Sequence, residues 1–411
     1  MDAVVRSVPP GQAAKPAGQG RGPFLLGPRG LGTSAARIVW NARPEHHSTS
    51  VPLSSRPPVV PGLPVRRTAP VPSSPPAATT SSTALGVSLY CPGPVRVDEP
   101  LGAEVNERLL AWVQRVGIFP GRLDAVRACN YGRYAMLIHP DCDDPDRLLL
   151  AAQCMAALFA VDDYYCDDER TGSDTALVGN RLTLAQTALD PAYLVGGWGH
   201  QEQLEEALAS DPVLVALRSY IDRVAGFATP AQVGRVRHET VAMFVAMNGE
   251  AGWRTTQTTP AVWEYLAARQ VNSFLPCMTL IDVISGYELP ATLYSHPPVR
   301  RATMLAASAS IILNDLYSMN KEAEPGIGDG GLPDVIAAER GCTPREAVQL
   351  SAAYHDELVR AFEAARSELT ATIPSPELWR YLTGLHAWLG GNHEWHATTG
   401  RYATATGDRS T

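Results

Sequence analysis

Proline is unevenly distributed along this chain, and its distribution limits where a compact fold can form. Fifteen of the 34 prolines fall within residues 1–76 of a chain of 411 residues. The segment up to Leu89 is otherwise mainly Ser, Thr, Ala and Gly, with Phe24 and Trp40 as its only aromatic residues. Such a composition cannot bury enough apolar area to offset the entropy lost on ordering. We therefore predict a disordered, basic tail over residues 1–95 and one folded domain over residues 96–411.

The formal charge changes sign between the tail and the body. Residues 1–90 carry nine basic and two acidic side chains, and the remaining residues carry a net charge of −15 within a total of −8. We expect no nucleic-acid partner, since phosphate contacts need clustered Lys and Arg. The first residues show no apolar signal segment, and the apolar stretch 148–161 is shorter than the ~20 residues of a membrane span. We expect a cytoplasmic protein with no membrane partner.

The hydrophobic pattern beyond Pro100 is helical throughout. Apolar residues recur at helical spacing between Gly- and Pro-containing loops, and alternating strand patterns are missing. The pattern predicts helices over 103–117, 145–170, 176–189, 201–209, 211–226, 230–250, 260–285, 297–322, 333–339, 344–370 and 376–398. The predicted fold class is all-α, a single-domain helical bundle preceded by the tail.

A run of acidic residues follows the most apolar of these predicted helices. Asp162, Asp163 and Asp167 lie at its C-terminal end, where the helix macrodipole disfavours negative charge by ~0.3–1 kcal/mol each. In an α-helix Asp167 would be the i+4 neighbour of Asp163, a like-charge pair. A solvated helix end is the simplest interpretation of an acidic run. The apolar approach and the tandem aspartates instead favour a site for Mg²⁺, whose ligands are oxygens.

A second set of oxygen-bearing side chains ends another apolar stretch. Asn314, Ser318 and Glu322 are spaced four residues apart, so they share one stripe of a helix and could bind a hard cation. Such a triplet alone is common. Basic residues near the two motifs favour an oxyanion such as diphosphate as the species held by the metal. These residues are Lys321, Arg269 and Arg401, the last followed by Tyr402.

Together these motifs resemble those of bacterial class I terpene cyclases. The Asp162-Asp163 motif, the Asn314/Ser318/Glu322 triad, Arg269 and the terminal Arg401-Tyr402 pair occur in the family's order, over roughly residues 100–403. Within that family, the DDYYCDD motif and the proline-rich extension are most similar to 2-methylisoborneol synthases. The chain departs from the family pattern at Cys166, where an acid is common and where Asp167 follows one residue later.

The resemblance implies a class I terpenoid synthase bundle with specific roles for the quoted residues. Three Mg²⁺ ions would be held by Asp162 and the triad, with Asp163 as an ion-pair partner and Asp167 as an uncertain third carboxylate. Arg269, Lys321, Arg401 and Tyr402 would donate hydrogen bonds to the substrate diphosphate. Phe159 and Trp395 would stabilise the carbocation through their ring faces.

The activity that the resemblance implies is cyclisation of a prenyl diphosphate, most simply 2-methylgeranyl diphosphate and water to 2-methylisoborneol and diphosphate. A separate methyltransferase would supply the methylated substrate, and a homodimer is compatible with the family. Three alternatives stay open: a sesquiterpene cyclase acting on farnesyl diphosphate, a chain-elongating prenyltransferase, and a non-catalytic diphosphate-binding helical protein. Removal of residues 1–90 is predicted to leave activity largely unchanged.

One further motif is interpreted structurally. Residues 141–144 read DCDD, the aspartate pattern of proton-initiated class II cyclases, with Asp143 in the position of the acid. They follow a proline and lie at the start of a predicted helix, where Asp suits both the N-cap and the macrodipole. We predict that this segment caps a helix.

Overall fold

The computed structural model describes residues 79–82, 87–167, 174–319, 331–399 and 401, with the backbone alone for 79–82 and 167. All of them belong to one compact unit, Val71–Thr411. Its elements are strands β1 (Thr79–Ser82) and β2 (Ser88–Cys91) and helices α1 (Glu99–Val116), α2 (Leu123–Cys129), α3 (Tyr131–Ile138), α4 (Pro145–Val161), α5 (Val178–Leu189), α6 (His200–Ser210), α7 (Pro212–Ala225), α8 (Pro230–Thr256), α9 (Val262–Val271), α10 (Leu275–Met278), α11 (Ile281–Ile284), α12 (Ala291–Tyr294), α13 (Pro297–Ser318), α14 (Leu332–Arg340), α15 (Pro344–Thr372) and α16 (Pro376–Thr398).

The predicted all-α fold class is confirmed. Most predicted helices are present, with ends shifted by a few residues, and the three helices α2, α3 and α12 were not predicted. The predicted helix over 260–285 is instead the three helices α9, α10 and α11, because Pro276 lies in the first turn of a new helix. The resulting break near Asn272 turns out to form one wall of the candidate site.

Helix α4 is the central helix of the bundle. It packs against α1, α3, α7, α10 and α11, and nearly all of its residues are buried. Among the described residues, one stretch, Pro145–Cys166, is long and apolar enough to cross a membrane, but 78% of its most apolar window is buried inside the bundle. That burial is typical of a core helix. The predicted cap is confirmed as well: the Asp144 carboxylate accepts from Asp146 N at 2.8 Å.

The last part of the predicted tail is packed against the bundle, which corrects the predicted boundary at residue 95. Strand β2 pairs antiparallel with β1 and lies against α15 and α16. Leu89 is fully buried in a cluster with Leu313, Leu316 and Tyr317 of α13. Tyr90 N donates to the Asp356 carboxylate at 2.8 Å. The buried Leu89 and this hydrogen bond hold the segment against the bundle, which its composition did not predict. Residues 1–78 lie outside the described part.

Two adjacent glycines let α16 approach its neighbours closely. A Cβ at Gly390 would lie 2.3 Å from Gly93 O, and one at Gly391 would lie 2.6 Å from Leu137 O. Both distances are too short for any side chain, so only glycine allows this packing. The close approach of α16 to α3 fixes the next turn of α16, which carries residues of the candidate site.

Candidate active site

The aspartate-rich segment forms a π-helical turn, Asp162–Asp167, at the end of α4. Two arginines donate to its backbone carbonyls: Arg254 to Cys166 O at 2.8 Å and Arg181 to Tyr164 O at 3.3 Å. Cations at the carbonyl end of a helix oppose the unfavourable effect of acidic side chains there. The bundle thus provides the compensation that the sequence pattern alone seemed to lack.

The π-helical turn also changes the register of the aspartates. Its backbone hydrogen bonds run from i to i+5 in place of i to i+4, so the turn is wider than the α-helical turn that the prediction assumed. The proximity of Asp163 and Asp167 stays a prediction. The Asp167 side chain lies outside the described residues.

The two tandem aspartates have different neighbours. Asp162 lines a cleft between α4, α8, α9 and α13. Asp163 instead pairs with Arg401, whose Nη2 lies 3.3 Å from Asp163 Oδ1. The Arg401 guanidinium also lies over the Phe159 ring, with Cζ 4.0 Å from the ring centroid. Arg401 therefore already lies beside the aspartate motif, as the sequence order alone could not show.

The second motif enters the same cleft from the C-terminal end of α13. Asn314 lines the cleft, and Ser318 lies one turn further along the same stripe, with its Oγ donating to Asp315 O at 3.3 Å. Lys321 and Glu322 lie outside the described residues, as does Tyr402. Within the described ranges no group of three or more His, Cys, Asp or Glu side chains could hold a metal. Of the predicted metal ligands, the structure places Asp162 and Asn314 in the lining of this cleft.

Arg269 lies in the same cleft and is held by Asp315, a residue that sequence reasoning missed. Its Nε and Nη2 lie 3.0 and 2.7 Å from Asp315 Oδ1, and the carboxylate is 1% exposed. Tyr265 OH and Leu332 N donate to the other oxygen, at 2.9 and 3.1 Å. Burial alone would lower the pKa of Arg269, but Asp315 raises it above its ordinary value. The position of Asp315 directly after Asn314 was the available signal.

The break between α9 and α10 forms another wall of the cleft. Arg269 Nη1 donates to Asn272 O at 3.2 Å, and Asn272 Nδ2 lies 2.9 Å from both oxygens of Glu250. Burial raises the pKa of Glu250, and Asp162 raises it further, while Arg269 and Asn272 oppose the shift. Glu250 was also missed, although it follows the apolar run of residues 241–247 by three residues.

A histidine of α16 completes the surroundings of Asn314. Asn314 Nδ2 lies 3.1 Å from His396 Nε2, and His396 Nδ1 lies 2.8 Å from Asn392 O. Burial lowers the pKa of His396 to about 3, so its ring is neutral at pH 7. His396 was not among the candidate site residues predicted from the sequence.

The inner part of the cleft is apolar. Its volume is about 80 Å³, smaller than the ~300–1,000 Å³ of most small-molecule sites. Aromatic rings of Phe159 and Phe274 line it, together with Met155, Leu158, Met243, Met247 and Ile311. Trp395 is not among the lining residues: it is fully buried, donates to Cys129 O at 2.8 Å and packs against Tyr134 at 4.6 Å between ring centroids. Of the two predicted cation-stabilising rings, the described cleft brings only Phe159 to its surface.

Comparison with known proteins follows the same motifs. Residues 153–361 match the family model described as terpene synthase family 2, C-terminal metal binding. A 2-methylisoborneol synthase of Streptomyces ambofaciens is 37% identical over 386 residues, covering 92% of this chain and 81% of that protein. A farnesyl-diphosphate-cyclizing (+)-T-muurolol synthase of Streptomyces clavuligerus is 30% identical over 78% of this chain and 74% of that protein.

Solved structures include a protein of similar fold. The crystal structure of 2-methylisoborneol synthase from Streptomyces coelicolor A3(2), in complex with Mg²⁺ and 2-fluoroneryl diphosphate, superposes with a TM-score of 0.73. It is 37% identical in sequence and covers 77% of this chain and 98% of that chain. The likeness therefore extends over nearly the whole of the solved chain.

Proposed function

This chain belongs to the terpene synthase family, and we propose that it is a class I cyclase that converts 2-methylgeranyl diphosphate and water to 2-methylisoborneol and diphosphate. One observation carries the proposal: a single cleft brings Asp162, Asn314 and Arg269 together above an apolar interior. The first two offer oxygen ligands, and the third offers guanidinium donors for an oxyanion. Similarity to several 2-methylisoborneol synthases supports the choice of substrate and product.

The donors in the cleft fit Mg²⁺. Carboxylate and amide oxygens are among the ligands that this cation prefers, and Asp162 and Asn314 offer one of each. We propose Asp162, Asn314 and Ser318 as metal ligands, with Glu322 and Asp167 as further ligands and three ions in all. When bound, the metal supplies positive charge that neutralises the diphosphate leaving group.

The basic residues would hold the diphosphate from two sides. Arg269 and Arg401 enter the cleft region from α9 and from the C-terminal segment, and each is paired with a carboxylate in this structure. We propose that both donate to the diphosphate, along with Lys321 and Tyr402. Charge-assisted hydrogen bonds of this kind stabilise the charge that develops as the allylic C–O bond breaks.

The apolar interior would exclude bulk water from the carbocation. Thioether and aliphatic side chains are weak nucleophiles, and the Phe159 ring face can stabilise a nearby cation by ~0.5–2 kcal/mol. Arg401 now lies over that ring, so its movement to the diphosphate would free the ring face. The proposed role of Trp395 is less direct, since it packs behind Tyr134 rather than lining the cleft.

The proposal extends to the rest of the chain and to its partners. Because the product carries a methyl group that the usual ten-carbon prenyl diphosphate lacks, a separate methyltransferase must act before this enzyme. In place of the predicted boundary at residue 95, we propose a tail that ends before β2 and a body from β2 onward. The homodimer stays a prediction, which sedimentation velocity would test.

Product analysis separates the candidate activities. Purified protein with Mg²⁺ would be given geranyl, 2-methylgeranyl or farnesyl diphosphate, and the volatile products would be identified by gas chromatography and mass spectrometry. We expect 2-methylisoborneol from the methylated substrate as the main product. Efficient cyclisation of farnesyl diphosphate alone would favour the sesquiterpene alternative, which the similarity to T-muurolol synthase supports. If none of the three substrates gave a product, the non-catalytic diphosphate-binding alternative would be favoured.

A further inference from the structure

We propose that His396 is a positioning residue that fixes the orientation of the Asn314 amide, so that Oδ1 and not Nδ2 is presented to the metal. The inference rests on the proposed function of Asn314 as a ligand. Asn314 is 9% exposed, and its two polar atoms have different neighbours: Arg269 Nη2 lies 3.3 Å from Oδ1, and His396 Nε2 lies 3.1 Å from Nδ2. A metal can bind only the oxygen of an amide, so the orientation decides whether Asn314 is a ligand at all.

The backbone of α16 determines which nitrogen of His396 carries the proton. His396 Nδ1 lies 2.8 Å from Asn392 O, and a carbonyl oxygen can only accept a hydrogen bond. Nδ1 is therefore protonated, and in the neutral ring Nε2 is an acceptor. An acceptor at Nε2 can pair with the Asn314 NH₂ group but not with its oxygen. The chain of hydrogen bonds thus runs from a backbone carbonyl through the imidazole to the amide.

Arg269 favours the same orientation in this structure, but only while it stays where it is. Its guanidinium has donors and no acceptor, so it pairs with Asn314 Oδ1. In the proposed reaction Arg269 turns to the diphosphate, and its contact with the amide weakens at the moment when the ligand is needed. His396 would still distinguish the two amide orientations at that moment.

The imidazole itself is held firmly by its surroundings. The ring is 2% exposed and makes edge contacts with Trp395 and Phe274 at 4.8 and 6.1 Å between centroids. Tyr317 packs on another side at 5.6 Å. A ring confined in this way cannot rotate to accommodate a flipped amide. This rigidity is what a positioning residue requires, since outer partners of metal ligands act by fixing orientation.

Spectroscopy tests the tautomer without any variant of His396. The full-length protein labelled with ¹⁵N-histidine would be recorded at pH 7.5 by two-bond ¹H–¹⁵N correlation. We expect the His396 ring in the Nδ1–H form, and its Nε2 signal should shift when Asn314→Leu removes the donor. An Nε2–H tautomer for His396, or an Nε2 signal that Asn314→Leu leaves unchanged, would overturn the proposal.

Metal binding tests whether the orientation of the Asn314 amide affects the affinity of the site. Mn²⁺ affinity would be measured by electron paramagnetic resonance with inorganic diphosphate present, which requires no turnover. We expect His396→Phe to weaken Mn²⁺ binding by about 10-fold or more, within the range for outer partners of metal ligands. His396→Gln, whose Oε1 can accept from the amide, should lose less than about 3-fold. His393→Phe, a buried histidine of the same helix that makes no described hydrogen bond to Asn314, is the matched control and should also lose less than about 3-fold.

A double-variant comparison separates positioning from packing. In an Asn314→Asp background both side-chain oxygens can bind the metal, so orientation no longer matters. His396→Phe should then weaken Mn²⁺ binding by less than about 3-fold. An equal loss in the two backgrounds would show that the ring acts through packing and would overturn the proposal. If no protein, wild type included, bound Mn²⁺ with diphosphate, the proposed function would fail, while the tautomer measurement would still decide the role of His396.

Discussion

The two arginines beside the cleft are held by carboxylates in different ways. Arg269 makes two short contacts with Asp315, at 3.0 and 2.7 Å, and that carboxylate is 1% exposed and also receives Tyr265 OH and Leu332 N. Arg401 Nη2 lies farther from its carboxylate, 3.3 Å from Asp163 Oδ1, and that carboxylate side chain is 16% exposed. The first pair is tight and deeply buried, whereas the second is looser and partly solvated.

Despite this difference, the two sides share one arrangement. On each side a proposed metal ligand is followed directly by the carboxylate that holds an arginine: Asp162 by Asp163, and Asn314 by Asp315. The first residue of each tandem lines the cleft, and the second holds the cation that is expected to bind diphosphate. We infer that Arg401 is released more readily than Arg269 when substrate enters, since its contact with Asp163 is longer and that carboxylate is more exposed than Asp315. The predictions below test whether the first residue of each tandem binds the metal and the second holds an arginine, starting with the largest expected effect.

The largest effect should come from the first residue of a tandem. Asp162→Asn removes a charged metal ligand, and we expect turnover to fall by about 10²–10³-fold or more, as when one stabilising group is lost at a developing charge. The circular dichroism spectrum and the unfolding temperature should change little. Steady-state assays with 2-methylgeranyl diphosphate over a range of Mg²⁺ concentrations would measure the loss.

A matched carboxylate serves as the control for that variant. Asp143 belongs to the DCDD segment that caps α4, its side chain is 85% exposed, and it forms an ion pair with Arg96. Asp143→Asn should leave turnover within about 2-fold of wild type, since exposed pairs contribute little. A similar fall in both variants would show that general charge, and not the cleft, controls the rate.

Substitution of the second residue of each tandem should lower the stability of the protein by different amounts. Asp315→Asn leaves Arg269 without its buried counter-charge, and we expect a loss of about 3–5 kcal/mol in the free energy of unfolding, as for a broken buried pair. Asp163→Asn removes one long contact and should cost only about 1 kcal/mol. Urea denaturation followed by circular dichroism would compare the two. Equal losses would contradict the distinction between a tight and a loose arginine.

Sequence reasoning recovered the elements that depend on local pattern. Long amphipathic and apolar stretches gave the helices, and the spacing of Asn314 and Ser318 placed them on one stripe of α13. The packing of Leu89 could not be foreseen, because its partners on α13 lie more than 200 residues away in sequence. The same limit applies to Asp315 and His396, whose roles come from contacts between helices distant in the chain.

The π-helical turn shows a second kind of limit. An acidic run after an apolar helix predicts that carboxylates gather there, but α-helical spacing was assumed for their register. Arg254 and Arg181, which bind the carbonyls of this turn, come from α8 and α5. A local pattern therefore identified the residues of the motif, while the tertiary contacts are what stabilise its actual geometry.

The tight side of the cleft should also depend on strand β2. Leu89 packs on Leu313, Leu316 and Tyr317 of the helix that carries Asn314, so Leu89→Ala should lower the free energy of unfolding by about 2–4 kcal/mol. Deletion of residues 1–78 should cost little by comparison. Removal of residues 1–90 was predicted to leave activity largely unchanged. We now expect a truncation to lower the free energy of unfolding once it removes β2. Differential scanning calorimetry of the truncation series would locate that step.

The smallest expected effect is on the pH dependence of the free energy of unfolding, which we assign to a buried histidine and not to the arginine pairs. His139 is 2% exposed, its Nε2 has no described partner, and burial lowers its pKa to about 3. In the unfolded chain a histidine takes up a proton near pH 6.5, so the unfolded state binds protons first as the pH falls. Between pH 6.5 and 5.5 this histidine should lower the free energy of unfolding by about 1 kcal/mol.

His139→Leu should remove that share of the pH dependence, whereas the exposed His238→Gln should leave it unchanged, because solvent reaches its ring in both states. The loss of stability above pH 5.5 should be the same in wild type and in Asp163→Asn, which leaves His139 unchanged. Urea unfolding at the two pH values would measure each slope, and a slope abolished by Asp163→Asn would assign the effect to the loose arginine pair instead.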